Sequence, residues 1–191
     1  MWRSNQLDPD RVGLLLIDLQ QKLLPLIRDA HRIVLATRKL LQGTAIFDLP
    51  VVVTEQYPKG LGQTVDEVRS ICPPEHVVVE KPTFSAWADA SVRDALRAID
   101  RPQILLAGVE THVCVLQTAL DLRTRDFDVF VCADAVGSRG ALDHDVALQR
   151  LRQEGVFVTT VESALFELSG RCDTPAFKRM IEVIKAHPPE A

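Results

Sequence analysis

Three side chains of complementary chemistry stand at or just beyond the ends of apolar runs. Asp18 ends "VGLLLID", Lys81 follows Glu80 at the end of "HVVVE", and Cys114 lies a few residues past Gly108, where "QILLAG" stops. An acid, an ammonium and a thiol together suit attack on a carbonyl carbon. The thiol is the nucleophile, and the carboxylate takes its proton and later returns it to a leaving amine. A free thiol titrates near about 8.5. A nearby ammonium and a helix N-terminus would both be expected to lower that value. Singly, each residue has an ordinary reading: a strand-end Asp caps a helix, a Lys is solvated at the surface, and a helical Cys packs in the core. Convergence sets the three apart. If the apolar runs are strands of one parallel sheet, all three residues reach the rim at the strands' carboxyl ends, where open α/β sheets bind ligands. The other cysteines lack this setting: Cys132 lies within an apolar run, Cys72 in a Pro-rich turn and Cys172 in a Gly/Asp loop.

The elements that must position these residues are legible as a pattern. Segments 12–18, 51–54, 76–80, 103–108, 128–134 and 156–160 are rich in Val, Ile and Leu and continuously apolar rather than alternating. That marks strands buried on both faces, as in a parallel sheet. Between them lie helical patterns at 29–47, 89–100, 113–126, 142–155 and 174–187. Asp89 and Thr174 stand as N-caps, Pro175 at a first helical position and Gly155 at a C-terminus. Strand and helix alternating in this way predict a doubly wound α/β fold, a mainly parallel six-stranded sheet with helices on both faces. The expected organisation is an N-terminal extension at 1–10, one domain at 11–187 and a tail at 188–191.

Composition narrows the function classes. The chain has 191 residues, 47% of them apolar, and a net charge of −4 with scattered Lys and Arg. That leaves no footprint for nucleic acid or an anionic membrane. No apolar run is long enough to span a bilayer, and the polar start "MWRSNQLDPD" lacks a signal-peptide core, so a cytoplasmic protein with reduced thiols is expected. The four cysteines form no C-x-x-C pair, which disfavours zinc or a disulfide scaffold. "GLGQTV" fails as a dinucleotide fingerprint at its third glycine, "GSRG" is no nucleophile elbow, and no Walker A or H-E-x-x-H is present. "DHD" at 143–145 reads as helix capping rather than a metal cluster.

The segments "LLLIDLQ", "EKPTFSAW" and "LLAGVETHVCV" occur in the order and spacing of the isochorismatase-like cysteine hydrolases, which include nicotinamidases and N-carbamoylsarcosine amidohydrolases. The resemblance covers residues 11–177. The "TEQYPKGLG" stretch is most similar to the isochorismatase domain-containing subgroup. This resemblance implies a triad of Asp18, Lys81 and Cys114, with Asp18 moving the proton and Lys81 supporting the thiolate and orienting the site. It implies a cis peptide between Val109 and Glu110, backbone N–H groups of Glu110 and Cys114 aimed at an oxyanion, and hydrolysis through a thioester. It also implies a pocket of Gln56, Tyr57, Phe84 and Trp87, with Glu110 and His112 nearby; Phe84 and Trp87 read equally as core or oligomer-contact aromatics. His112 stays outside the catalytic set, because residues two apart on a helix start need not face the same way.

Two departures from the family pattern refine the expectation. Nicotinamidases hold a metal through an Asp-x-His pair and a further His, and this chain has only Glu55 in that region, so no metal and no cofactor are expected. Members that cleave the isochorismate vinyl ether do not need the Cys, so Cys114 favours an amide or ureide. The expected partners are a small-molecule substrate and further copies of the chain in a homo-oligomer. Two other classes stay open: a thiol redox protein using Cys114, and a non-catalytic interaction protein that retains the fold.

Overall fold

The computed structural model describes residues 5–187. The apolar runs form β1 (Val12–Ile17), β2 (Val51–Gln56), β3 (Val77–Lys81), β4 (Gln103–Val109), β5 (Asp128–Gly137) and β6 (Phe157–Thr159). They build one six-stranded sheet in the order β3-β2-β1-β4-β5-β6, with every pairing parallel. The expected doubly wound α/β fold is therefore the observed one. β1 lies at the centre and is buried along its whole length. Its alternate side chains feed two cores. Leu14 and Leu16 pack in the cluster that holds Leu40 and Leu41 of α1 (Ala30–Thr44), Leu165 of α7 (Val161–Ser169) and Met180 of α8 (Pro175–Ala186). Leu15 and Ile17 pack in the cluster that holds Leu96 of α4 (Ala90–Ala98), Leu122 of α5 (Leu116–Arg123) and Leu151 of α6 (Ala141–Gln153). Burial on both faces is why these strands read as unbroken apolar runs.

Helix starts follow local chemistry. The Asp89 carboxylate accepts from the N–H groups of Ser91 and Val92, and the Thr174 hydroxyl accepts from the Phe177 N–H with Pro175 in the first turn. Gly155 follows α6 with φ +77, the left-handed position that ends helices. Some elements depart from the sequence reading. α7 was not expected, because Val161, Ala164, Leu165 and Leu168 continue the apolar run of β6 with no intervening turn signal; the Thr160 hydroxyl, accepting from the Ser163 N–H, starts the helix there. Two four-residue helices, α2 (Pro58–Leu61) and α3 (Asp66–Arg69), fold the segment after β2. Asp143–Asp145 do not cap α6. Gly140 occupies that position, the three residues lie within the helix, and His144 Nδ1 meets Thr111 Oγ1 at 3.0 Å.

The chain start at 6–8 is tied to the body rather than projecting from it. Leu7 is buried, and the Gln103 side chain bonds both the Asp8 N–H and the Gln6 carbonyl. Residues 188–191 lie outside the described residues. No helix among the described residues is long and apolar enough to cross a membrane.

The strand order reverses at β1, which has β2 on one side and β4 on the other, and this is the crevice where such sheets take ligands. Gly108 makes the approach possible. It has φ +136, and a Cβ there would lie 2.2 Å from the Ile17 carbonyl oxygen. We predict that Gly108→Ala lowers unfolding free energy by about 3 kcal/mol or more, combining backbone strain with a clash against rigid backbone. Urea unfolding followed by far-UV circular dichroism checks this.

Candidate active site

The rim is built outward from one buried ion pair. Asp18 follows β1 in the left-handed region at φ 56, and its N–H stays bonded to the Thr54 carbonyl at 3.1 Å. That twist turns the carboxylate over the end of β2. There Oδ1 accepts from Thr54 Oγ1 at 2.8 Å and Oδ2 from Lys81 Nζ at 2.7 Å. Both side chains of the ion pair have 0% exposure. Acid and ammonium thus come from β1 and β3 and meet across β2.

Lys81 spends its protons locally. Besides Asp18, Nζ donates to Gln56 Oε1 at 2.8 Å and to the Thr83 carbonyl at 3.1 Å. An ammonium has three N–H groups, so these acceptors use them all. Lys81 was expected to support a thiolate and orient the site; its hydrogen bonds go to Asp18, Gln56 and the Thr83 carbonyl, and its charge still acts to lower the Cys114 thiol. Gln56, expected to line the pocket, is a partner of this lysine, and its amide nitrogen donates to the Pro82 carbonyl. Thr54 and Gln56 are two apart on β2 and so share a face. The buried Gln20 holds Gln56 in place. Its Oε1 accepts from the Gln56 N–H at 2.7 Å, and its Nε2 donates to the carbonyls of Gln56 and Gly62. Sequence reasoning missed Thr54 and Gln20. The signal was a polar side chain breaking the apolar pattern at a strand end.

Cys114 sits in a π-helical turn, Thr111–Val115, which runs into α5. It is 4% exposed and belongs to the apolar cluster of Ile17 and Val115. Its thiol is pushed up to about 12. Burial contributes most, followed by the Asp18 charge; Lys81 acts in the opposite sense, and hydrogen bonding to Asp18 and the Glu110 charge add to the rise. The expected lowering is therefore reversed. A thiolate here would be a second anion beside Asp18, in a site whose cation is already engaged.

The backbone before the cysteine also differs from expectation. The Val109–Glu110 peptide is trans, as are the others among the described residues. The chain turns through Gly108 at φ +136 and Glu110 at φ 58. Glu110 is buried, and its Oε1 accepts from Arg139 Nε at 2.7 Å while Oε2 lies 3.2 Å from His112 Nδ1. His112 Nδ1 is also 3.0 Å from Ser138 Oγ.

The aromatic residues divide. Tyr57 and Phe84 are exposed at the rim, at 63% and 58%. Trp87 is not a rim residue. It is buried edge-on to Phe127 at 5.4 Å, with the Arg97 and Arg125 guanidiniums over its ring. Arg125 and Phe127 follow the C-terminal end of α5, whereas Cys114 precedes its start, so the indole packs at the other end of that helix. Glu55 holds structure instead of a metal: its Oε1 takes both the N–H and the hydroxyl of Thr64. Among the described residues no group of three or more His, Cys, Asp or Glu side chains could hold a metal ion, so the residues do not fit the nicotinamidase metal. All four cysteines are unpaired.

The match to an isochorismatase domain extends over residues 12–163. The chain belongs to the isochorismatase family. Over 174 residues it is 40% identical to isochorismatase domain-containing protein 1 of Salmo salar, covering 91% of this chain and 61% of that one. The chain thus spans about three fifths of that relative's length. Its fold matches that of the MAR1 ribonuclease of Caenorhabditis elegans with a TM-score of 0.90, at 34% identity over 96% of this chain and 95% of that one. It also matches the ycaC gene product of Escherichia coli, an octameric hydrolase of unknown specificity, with a TM-score of 0.91 at 27% identity, over 98% and 93% of the two chains.

Two outcomes follow from the electrostatics. Alkylation of Cys114 by iodoacetamide, read by peptide mass spectrometry, will still be climbing between pH 9 and about 11, with no plateau near the ordinary thiol value of about 8.5. Asp18→Asn will move that profile to lower pH, because it removes a charge that raises the thiol. Separately, Lys81→Met will cost about 3–5 kcal/mol by leaving the Asp18 carboxylate buried and uncompensated. The Asp18→Asn/Lys81→Met pair will cost clearly less than the sum of the single changes in a double-mutant cycle.

Proposed function

We propose that this isochorismatase-family hydrolase cleaves a small amide or ureide through a Cys114 thioester, without a metal. The observation that carries the reading is the fully buried Asp18–Lys81 pair set against the buried Cys114, whose thiol is pushed up by burial and the Asp18 charge. In this reading the resting nucleophile is the thiol, so its proton must leave as the bond forms. Asp18 accepts that proton while sulfur attacks the carbonyl carbon. Lys81, held by Gln56 and the Thr83 carbonyl, keeps the carboxylate aimed and charged until then. The negative charge passes to the carbonyl oxygen, and backbone N–H groups of Glu110 and Cys114 stabilise it. Asp18 then gives the proton to the leaving nitrogen as the C–N bond breaks. In the second half-reaction water attacks the thioester with Asp18 as base, releasing the carboxylic acid and restoring the thiol.

Tyr57 and Phe84, exposed at the rim, form the mouth of the pocket in this proposal. A phosphodiester substrate, of the kind the nematode neighbour's name denotes, would call for free cations at the rim. Here the Lys81 ammonium is spent inside the site and the net charge is −4, which favours the acyl reading. Unpaired cysteines suit a reducing compartment, consistent with a cytoplasmic placement.

A panel of primary amides and ureides, read by ammonia release and intact-protein mass, tests the reading. Turnover should leave an acyl mass on Cys114. Cys114→Ala should abolish both signals, and Asp18→Asn should lower kcat by roughly 10²–10⁴-fold. Turnover that survives Cys114→Ala would overturn the thioester mechanism. Fast peroxide oxidation of Cys114 with no amide turnover would put the redox reading in its place.

A further inference from the structure

The outer edge of β3 carries an unused pairing surface. β3 and β6 are the two edges of the sheet. β6 protects itself by being only three residues long. β3 has five residues, begins Val77-Val78-Val79, and contains no proline, glycine or bulge. Val77 and Val78 are 43% and 47% exposed. Such an edge is a template for another strand.

The backbone parity shows which groups are available. The Lys81 carbonyl accepts from the Tyr57 N–H at 3.2 Å, so Lys81 turns its peptide groups toward β2. Parallel ladders alternate, so Val79 and Val77 do the same, while Val78 and Glu80 turn theirs outward; His76, just before the strand, gives its N–H to the Pro73 carbonyl at 3.0 Å.

The surrounding sequence, Pro74 to Pro82, is "PEHVVVEKP" and is self-complementary about Val78. In an antiparallel pairing of two copies centred on Val78, Val78 faces its own equivalent. Val77 faces Val79, His76 faces Glu80, and Pro74 faces Pro82. Val78 then falls in a hydrogen-bonded pair with its own equivalent, Glu80 turns its peptide groups toward the facing copy, and the His76 imidazole meets the Glu80 carboxylate twice. The prolines lack N–H groups and end the ladder symmetrically. His76 Nδ1 lies 2.6 Å from the Pro73 carbonyl, so it donates there, and in the imidazolium form Nε2–H donates to the facing carboxylate.

We propose that two copies of this chain associate by antiparallel β3–β3 pairing, centred on Val78, to form a continuous twelve-stranded sheet. The strand that carries Lys81 is then no longer an edge, and pairing restrains the residue that holds Asp18. The proposal does not rest on the chemistry assigned to Cys114.

Sedimentation of the full chain and symmetric crosslinking test it. Val78→Asp sets two like charges against each other at the two-fold axis. Because Val78 is half exposed, the fold should survive, which circular dichroism checks. The assembly mass should fall by half, with association weakened about tenfold or more. His76→Glu should also weaken association, and adding Glu80→Lys should restore it to within about threefold by rebuilding opposite-charge pairs. In a Cys172→Ser background, Val78→Cys should form an intermolecular disulfide under mild oxidation, since directly opposed Cα atoms lie about 5.5 Å apart. Val77→Cys should not, because it faces residue 79. A wild-type chain that stays monomeric, a mass unchanged by Val78→Asp, or equal crosslinking at positions 77 and 78 would overturn the proposal.

Discussion

Everything at the rim depends on keeping one ion pair in a place that excludes water. Desolvating a carboxylate and an ammonium costs several kcal/mol each, and attraction offsets this only when geometry is good and the remaining donors and acceptors are filled. The rim meets that condition residue by residue. Asp18 receives Thr54 and Lys81, and Lys81 gives its other protons to Gln56 and the Thr83 carbonyl. Gln56 is itself gripped by Gln20 and by the Pro82 carbonyl. These partners come from the ends of three adjacent strands and the loops that follow them. The parallel sheet is therefore the device that makes the pair affordable, because it delivers three strand ends to one edge in register.

The state of the thiol follows from the same constraint. A buried pair is neutral overall, and a neutral thiol beside it adds little desolvation cost. Ionising Cys114 would place a net negative charge in a site with no uncommitted N–H on Lys81, so burial and the Asp18 charge hold the proton on sulfur. An arrangement that suppresses a standing thiolate is still compatible with nucleophilic attack, provided the proton moves during bond formation. In the proposed mechanism the carboxylate that raises the thiol is also the group that takes its proton. Suppression and activation are then two aspects of one contact. A protonated thiol is also less prone to oxidation than a thiolate.

The sequence carried the sheet well because burial on both faces leaves a composition signal that needs no knowledge of neighbours: six Val-, Ile- and Leu-rich runs became six parallel strands. Asp18, Lys81 and Cys114 were visible for the related reason that reactive side chains interrupt apolar runs at their ends. What was not legible is pairwise. Nothing local to Thr54 or Gln20 says that one will bond a carboxylate and the other clamp Gln56. Trp87 lies within a segment whose loop end reaches the rim, yet its indole packs against Phe127 and Arg125, which are remote in sequence, as well as Arg97. The direction of the thiol shift was misjudged because burial of Cys114 and the Asp18 charge, neither legible locally, outweigh the effect of the ammonium. The expected cis joint gave way to a left-handed Glu110, a different way of turning the chain between β4 and the cysteine.

The switch point explains why these requirements meet where they do. The connections leaving the adjacent strands β1 and β4 run in opposite directions, to β2 and to β5, so the space beyond their ends is left open. Gly108 lets β4 come so close to β1 that no side chain fits between them, and the turn that follows brings Cys114 over the carboxylate at the end of β1. A side chain at Gly108 would force the strands apart and with them the acid and the thiol. Stability and geometry are coupled at that residue: the tight contact that closes the core is also what fixes the distance between the two groups. The site is in this sense a property of how β1 and β4 pack, and the reactive residues are placed by a contact in which they take no part.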